Sequence, residues 1–294
     1  MSQVWLITGS SRGLGRELAQ AVLAAGHRLV ATARKAEDLQ RLVSQYGERV
    51  RAVALDVTDP EAAGAAVEVA TSAFGRLDVV VNNAGYANIN SIEDVAEDDF
   101  REQFETNFFG VVNVTRAALP VLREQRSGHI IQISSIGGRG ATPGLGAYQS
   151  AKWAVGGFSE VLAKEVGPLG IHVTVVEPGG MRTDWAGASM RIDEIQSDYQ
   201  ATVGAFTEHR RAGAGVMRGD PARCARAILQ VASEAQPPLR LLLGSDAVFL
   251  AGVYAAARAE EDAKWKALGE STDFEGSIPF SETPVARHLL KKGS

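Results

Sequence analysis

Val4-Trp5-Leu6-Ile7-Thr8-Gly9-Ser10-Ser11-Arg12-Gly13-Leu14-Gly15 decides the fold of this 294-residue chain. The first four residues are an unbroken apolar run, short enough for a strand buried on both faces of a parallel sheet. A glycine-rich turn follows, and then an amphipathic stretch from Arg16 to Ala25 that reads as a helix. A strand, a glycine turn and a helix start bring free backbone N–H groups and the positive end of a helix dipole to one point. Such a point is an anion site suited to a pyrophosphate. The glycines divide the work: Gly9 allows a sharp turn, Gly13 lets backbone approach a ligand, and Gly15 lets helix pack close to strand.

A second stretch carries chemistry. Ile130-Ile131-Gln132-Ile133 is another buried-strand run, ending in Ser134-Ser135; the loop Gly137-Gly138-Arg139-Gly140 follows, and then Tyr148-Gln149-Ser150-Ala151-Lys152 opens a helical pattern. Tyr148 and Lys152 are spaced i, i+4, so a helix holds phenol and ammonium on one face. A charge ~4 Å from the phenol, at an effective dielectric of about 20, favours phenolate by about 4 kcal/mol, or roughly 3 pKa units. The expectation is a tyrosine that titrates near neutrality and exchanges protons with a substrate. Ser135, at a strand end, is expected to hold the substrate oxygen beside it. Alone, Tyr-x-x-x-Lys recurs by accident and fits a surface helical pair equally well.

Taken in order, Thr8-Gly-x-x-x-Gly-x-Gly15, Asn82-Asn83-Ala84-Gly85, Ser135 and Tyr148-x-x-x-Lys152 resemble the short-chain dehydrogenase/reductase family over roughly residues 3 to 183. The resemblance implies a Rossmann-type, doubly wound parallel α/β sheet of about seven strands flanked by helices. It implies a single domain: a catalytic part over residues 1–245 and a C-terminal extension over 246–294. It also implies a dinucleotide held by Gly9, Ser11, Arg12, Gly13, Leu14 and Gly15, by Asp56 and Val57 at the adenine, and by Asn83, Ala84 and Gly85 near its ribose. Tyr148, Lys152, Pro178, Gly179 and Thr183 complete that set, with Thr183 at the nicotinamide carboxamide. In the family Asn83 is more structural than catalytic. Asn107 would interrupt a long helix over Phe100 to Arg123 and hold a water that links Lys152 to solvent. A solvent-facing asparagine would leave Gly110 without a reason. Relatives also pair through this helix and the one bearing Tyr148, which implies a homodimer or homotetramer.

The second strand, Arg28 to Ala33, ends in Arg34-Lys35, where an NAD-preferring relative would carry an acid for the ribose 2′-hydroxyl. With no acid there, Arg34 and Arg12 are expected to grip a 2′-phosphate, so the cofactor expected is NADP(H). Further strands are expected at Val50 to Leu55, Leu77 to Val81, Ile171 to Val176 and Arg240 to Leu243, and a helix at Pro60 to Phe74. A simple Asp turn before Pro60 is an equally local reading of Asp56. Along the Tyr148 helix, Val155, Phe158, Val161 and Leu162 are spaced for one buried face. Asp220-Pro221 should cap another helix.

Residues 184–217 match no motif. Trp185, Met190, Ile192, Ile195, Tyr199, Val203 and Phe206 recur at mostly helical intervals, as in the family's substrate lid or in any amphipathic helix packed on a core. The few evident charges there favour an uncharged, moderately hydrophobic substrate. Val248 to Lys266 can be helical, and Gly269 to Pro284 reads as irregular.

Composition narrows the function. A net charge of -5 argues against nucleic acid or a polybasic membrane contact, and the single Cys224 rules out an internal disulfide or a thiolate metal cluster. The five scattered histidines suggest no metal site. No apolar run approaches a membrane span and no leader is visible, so a cytoplasmic protein is expected. The resulting expectation is an oxidoreductase that moves a hydride between NADP(H) and a carbonyl or alcohol substrate, with Tyr148 as general acid/base. A dinucleotide-sensing regulator on the same fold would be expected to lack Tyr148 or Lys152. A lyase or dehalogenase would disrupt the glycine loop or carry arginine at position 152. Neither departure is present.

Overall fold

The computed structural model describes residues 2–183, 190–213 and 217–287. Seven strands form one sheet: β1 (Val4–Ile7), β2 (Arg28–Ala33), β3 (Val50–Ala54), β4 (Val79–Asn82), β5 (Gly128–Ile133), β6 (Ile171–Pro178) and β7 (Arg240–Leu243). All pairings are parallel, in the order β3-β2-β1-β4-β5-β6-β7. This is the doubly wound sheet expected. The chain moves outward from β1 in one direction and, from β4, in the other, so the crevice for a ligand opens at the carboxyl ends of β1 and β4.

Alternation along the strands divides the apolar core in two. Trp5 and Ile7 face one side, with Leu29, Ala31, Val79, Val81 and Ile131. They pack against α1 (Gly13–Ala24) through Leu14, Leu18 and Val22, and against α8 (Pro221–Ala232) through Ala225 and Ile228. Val4 and Leu6 face the other side, with Val30, Val80, Ile130 and Val173. There they meet α3 (Pro60–Phe74), α5 (Gly110–Gln125) and α6 (Gly146–Val166). The short α2 (Gln40–Tyr46) covers the β2–β3 edge with Leu42.

Local chemistry sets the helix ends. Asp59 caps α3 by accepting from the N–H groups of Glu61 (2.8 Å) and Ala62 (3.2 Å), and Asp220 caps α8 in the same way, each followed by a proline that needs no acceptor. Asp56 makes its own turn instead, accepting from the backbone and hydroxyl of Thr58.

The long helix expected over Phe100 to Arg123 is two helices, α4 (Glu97–Phe104) and α5, joined by a widened π-helical turn at Glu105–Phe109 that contains Asn107. Gly110 has a different reason from the one expected. A Cβ there would lie 2.5 Å from Cγ2 of Val57 and 2.9 Å from its Cβ, so Gly110 is required by the close packing of the β3–α3 loop rather than by Asn107. On α6, Val155 and Leu162 are buried, but Val161 is 57% exposed and does not belong to the buried face. The side chain turns outward because three residues from Phe158 it has rotated past the stripe that meets the sheet.

The chain divides into two compact units, Met1–Ala251 and Gly252–Ser294. The helix α9 (Ser245–Glu270) begins in the first and continues in the second, ahead of the expected irregular stretch, which contains a short 3-10 turn at Phe280–Glu282. Within the second unit, Lys264 pairs with Glu260 at 2.9 Å and Lys266 with Glu270 at 3.6 Å, both one turn apart. Among the described residues no helix is long and apolar enough to cross a membrane.

Gly110→Ala should destabilise the protein by about 1–3 kcal/mol through overpacking against Val57. Adding Val57→Ala should recover part of that loss, and urea unfolding of the two single variants and the double variant measures the coupling.

Candidate active site

The crevice at the head of β1 is held by one threonine. Thr8 Oγ1 accepts from the backbone N–H of Asn83 (2.9 Å) and of Ala84 (3.0 Å), and the Asn83 amide donates back to the carbonyls of Thr8 (2.9 Å) and Gly9 (3.1 Å). The glycine loop and the end of β4 are thereby stapled together. Gly9 and Gly13 have positive φ (68° and 56°), and a Cβ on Gly15 would lie 2.2 Å from the Gly9 carbonyl oxygen. Only glycine fits at that third position. Leu14 is buried under the loop, Ser11 is half-buried and Arg12 is exposed at the helix N-cap.

No side chain caps α1 and no acid stands in its first turn. Its N-terminal N–H groups and dipole therefore meet no carboxylate of the chain, as a site for a pyrophosphate requires. Thr183 lies across the loop, its Cβ 3.7 Å from where a Gly13 Cβ would stand. Arg34 is exposed at the end of β2, and among the described residues neither Arg34 nor Arg12 forms an ion pair. Asp56 is exposed beyond β3, while Val57 is buried against Gly110. The cradle thus fits a dinucleotide, with two arginines and no acid at its ribose end.

Along the same edge, the β6 exit Pro178-Gly179-Gly180 is held by a residue that sequence reading missed. Asp246, at the start of α9, accepts from the Gly180 N–H at 2.7 Å, and a Cβ on Gly179 would lie 2.3 Å from either of its carboxylate oxygens. Gly244-Ser245-Asp246 after a strand carried the signal of a turn into a helix, but not of this long-range contact. Glu177, fully buried, accepts from Arg139 in the loop after β5 (2.9 and 3.0 Å at Nε) and from Arg240 on β7 (2.5 Å). The glycine-rich loop is therefore anchored to β6.

The three residues singled out around β5 come together. Ser135 follows β5, its Oγ accepting from the Gly137 N–H at 3.0 Å, and its hydroxyl hydrogen-bonds Tyr148. Tyr148 and Lys152 occupy the first turns of α6, both buried. The Lys152 ammonium lies 5.6 Å from the centre of the Tyr148 ring and donates to the Ile133 carbonyl at 2.9 Å. Asn107 is fully buried; its amide nitrogen donates to Tyr86 and Gln103 carbonyls, both at 2.8 Å, and its Oδ1 has no hydrogen-bond partner among the described residues. A Cβ on Gly85 would meet that Oδ1 at 2.5 Å and the Lys152 ammonium at 3.4 Å. Gly85 thus lets Asn107 and Lys152 approach one small volume.

The electrostatics differ from the expectation. Burial pushes the Tyr148 phenol up to about 12, opposed by the Ser135 hydrogen bond and by the charge of Arg210. Lys152 does not appear among the groups acting on it, and burial lowers Lys152 itself to about 8. The sequence-based reckoning weighed only the attraction between opposite charges. Both groups are buried, so desolvation disfavours each charged form, and the ammonium is directed at a backbone carbonyl.

The segment expected as a lid packs over this tyrosine. Met190 and Val203 are buried with Ala87, Ile89, Leu145 and Tyr148, and Ile192, Ile195, Tyr199 and Phe206 pack against them. Ile89 and Ile192 form a parallel bridge, and Arg191 reaches the buried Asp99 at 3.1 Å. Trp185 lies outside the described residues.

Residues 3–192 match the short chain dehydrogenase family model. The chain belongs to that family. Among curated proteins it is 55% identical to Oxidoreductase BOA17 of Botryotinia fuckeliana (strain B05.10) over 269 residues, 91% of this chain and 98% of that protein. Among solved structures it is similar to a short-chain dehydrogenase from Streptomyces avermitilis, with a TM-score of 0.86, 38% identity and coverage of 93% of this chain and 99% of that one. The structure of ElxO with NADP bound has a TM-score of 0.70 at 27% identity, covering 83% of this chain and 97% of that one. An oxidoreductase of the short-chain dehydrogenase family is therefore at hand, and the glycine cradle and the Ser135-Tyr148-Lys152 group line one sheet edge.

A buried Lys152 with a lowered pKa binds fewer protons folded than unfolded between pH 8 and 10.5, so its contribution to stability rises with pH across that window. Tyr148, raised, acts oppositely only above pH 10. Relative to Lys152→Met, the wild type should gain stability between pH 7 and 9.5 in urea titrations; a difference that stays constant would contradict the burial of the ammonium.

Proposed function

We propose that this chain is an NADP-dependent carbonyl reductase or alcohol dehydrogenase, working chiefly in the reductive direction. The observation that carries the reading is the Tyr148 phenol, buried, hydrogen-bonded by Ser135 and flanked by Lys152, on the sheet edge that bears the glycine cradle. When bound, the nicotinamide supplies the hydride to a carbonyl carbon.

The protein's own groups do the rest. Ser135 and Tyr148 hydrogen-bond the carbonyl oxygen and polarise it, and Tyr148, protonated at neutral pH because burial raises its pKa, gives that oxygen its proton. Lys152 and Asn107 stand where a proton can return from solvent to the phenol, and Lys152 is also the group to hold the nicotinamide ribose. Gly9, Ser11, Gly13, Leu14 and Gly15 take the pyrophosphate, Asp56 and Val57 the adenine, and Asn83, Ala84 and Gly85 its ribose. Pro178, Gly179 and Thr183 take the nicotinamide end. Arg12 and Arg34 grip the 2′-phosphate, which the NADP bound to ElxO supports by analogy. The exposed apolar side chains of Phe109, Trp153 and Val161 are the face for a second copy.

Tyr148→Phe should leave NADPH affinity within about threefold of wild type while lowering turnover by roughly 100-fold or more. Wild-type turnover in that variant would remove Tyr148 from the acid role. Fluorescence titration should give tighter binding of NADPH than of NADH, and Arg34→Ala or Arg12→Ala should weaken NADPH selectively. Equal binding of both nucleotides by the wild type would overturn the NADP preference.

A further inference from the structure

The end of the lid carries a positive charge towards Tyr148. A π-helical turn at Gln200–Gly204 leads into α7 (Ala205–Gly213), and Val203, Phe206 and Arg210 follow one another at intervals of three and four residues. Helical residues so spaced share a face. Val203 and Phe206 belong to the apolar cluster that contains Tyr148, so the next turn of that face brings Arg210 to the same pocket. The Nε and Nη2 atoms of Arg210 are buried. Its charge and the phenol act on one another: the phenol pKa is drawn down and the arginine pKa up, while burial lowers the arginine.

The remaining wall is of another character. Ala87, Ile89, Leu145, Met190 and Val203 offer a substrate only apolar contact. A substrate whose carbonyl oxygen sits on Ser135 and Tyr148 therefore extends from a neutral hydrogen-bonding end, along apolar side chains, towards a guanidinium. A planar guanidinium matches a carboxylate with two parallel N–H donors, and the low-polarity surroundings strengthen that match.

We propose that Arg210 is a substrate-recognition residue and that the pocket takes oxo acids, with the substrate carboxylate on the Arg210 guanidinium and the carbonyl oxygen on Tyr148 and Ser135. The product is the hydroxy acid: NADPH gives the hydride to the carbonyl carbon, Tyr148 gives the proton to its oxygen, and the carboxylate is unchanged. This deepens the carbonyl-reductase reading and rests on it. It also replaces the uncharged substrate expected from the composition of the lid.

The test pairs 4-oxo, 5-oxo and 6-oxo straight-chain acids with their methyl esters, which keep the ketone and remove the charge. The purified protein loaded with NADPH is assayed for NADPH consumption and, separately, titrated calorimetrically with each compound. At one chain length or more, the acid should exceed its ester by roughly 10- to 100-fold in kcat/KM, as a charge-assisted hydrogen bond implies. Arg210→Gln should abolish that preference through KM for the acid and leave the ester within about threefold. Arg210→Lys, which keeps the charge and loses the fork, should recover part of it. Esters that match or exceed the acids at every length, or an Arg210→Gln variant that loses acid and ester alike, would overturn the proposal. If no ketone is reduced, the carbonyl-reductase reading fails, and calorimetry still decides the site: acid binding weakened by Arg210→Gln upholds it, and binding equal in the two proteins or absent overturns it.

Discussion

The hydroxyl of Thr8 is the contact on which the crevice depends. A parallel sheet that winds outward in two directions from β1 and β4 parts the chain at its carboxyl edge, and nothing in the strand ladder holds the two loops there in register. Thr8 receives the N–H groups of Asn83 and Ala84, and the Asn83 amide closes the circuit on the glycine-loop carbonyls. The third glycine follows from this staple. With the Gly9 carbonyl and the Asn83 amide both drawn against the first turn of α1, Gly15 has no room for a side chain.

Burial rather than simple charge attraction governs the chemistry of the site. Tyr148 and Lys152 face a common pocket from successive turns of α6, yet the phenol is made less acidic and the ammonium less basic. A protonated tyrosine poised beside Ser135 suits a proton donor. Elsewhere the same edge tolerates charge by pairing it: the buried Glu177 carboxylate sits between Arg139 and Arg240, and the latter also holds Glu160 at 2.7 Å. A buried carboxylate needs that many donors to offset its lost hydration, and in return the loop after β5 is tied to two further strands.

Over the tyrosine, the lid makes an apolar contact inside and polar contacts at its rim. Met190 and Val203 close on Tyr148, while Arg191 spans Asp99 and Asp193, and Tyr199 donates to Glu93 at 2.5 Å. The rim contacts are partly exposed and individually weak. The segment therefore combines a water-excluding inner face with an outer face that costs little to release, as a substrate gate requires.

What the sequence determined by itself was everything governed by neighbours along the chain. Short β-branched runs gave seven parallel strands with ends displaced by at most two residues, Asp59 and Asp220 before proline marked helix starts, and the spacing of Tyr148 and Lys152 put them on one face. Motif order placed the glycine loop, Asn83, Asn107 and Ser135 on one edge, because parallel strands send every loop of that kind to their carboxyl ends. Only the tertiary structure decided the matters that depend on what packs against a residue from elsewhere. Gly110 answers to Val57, Val161 turns outward, Asp246 holds the β6 exit, and Arg210 enters the tyrosine pocket. The direction of the Tyr148 shift belongs with these, since desolvation depends on every atom that surrounds a group, and spacing along a helix carries no record of them.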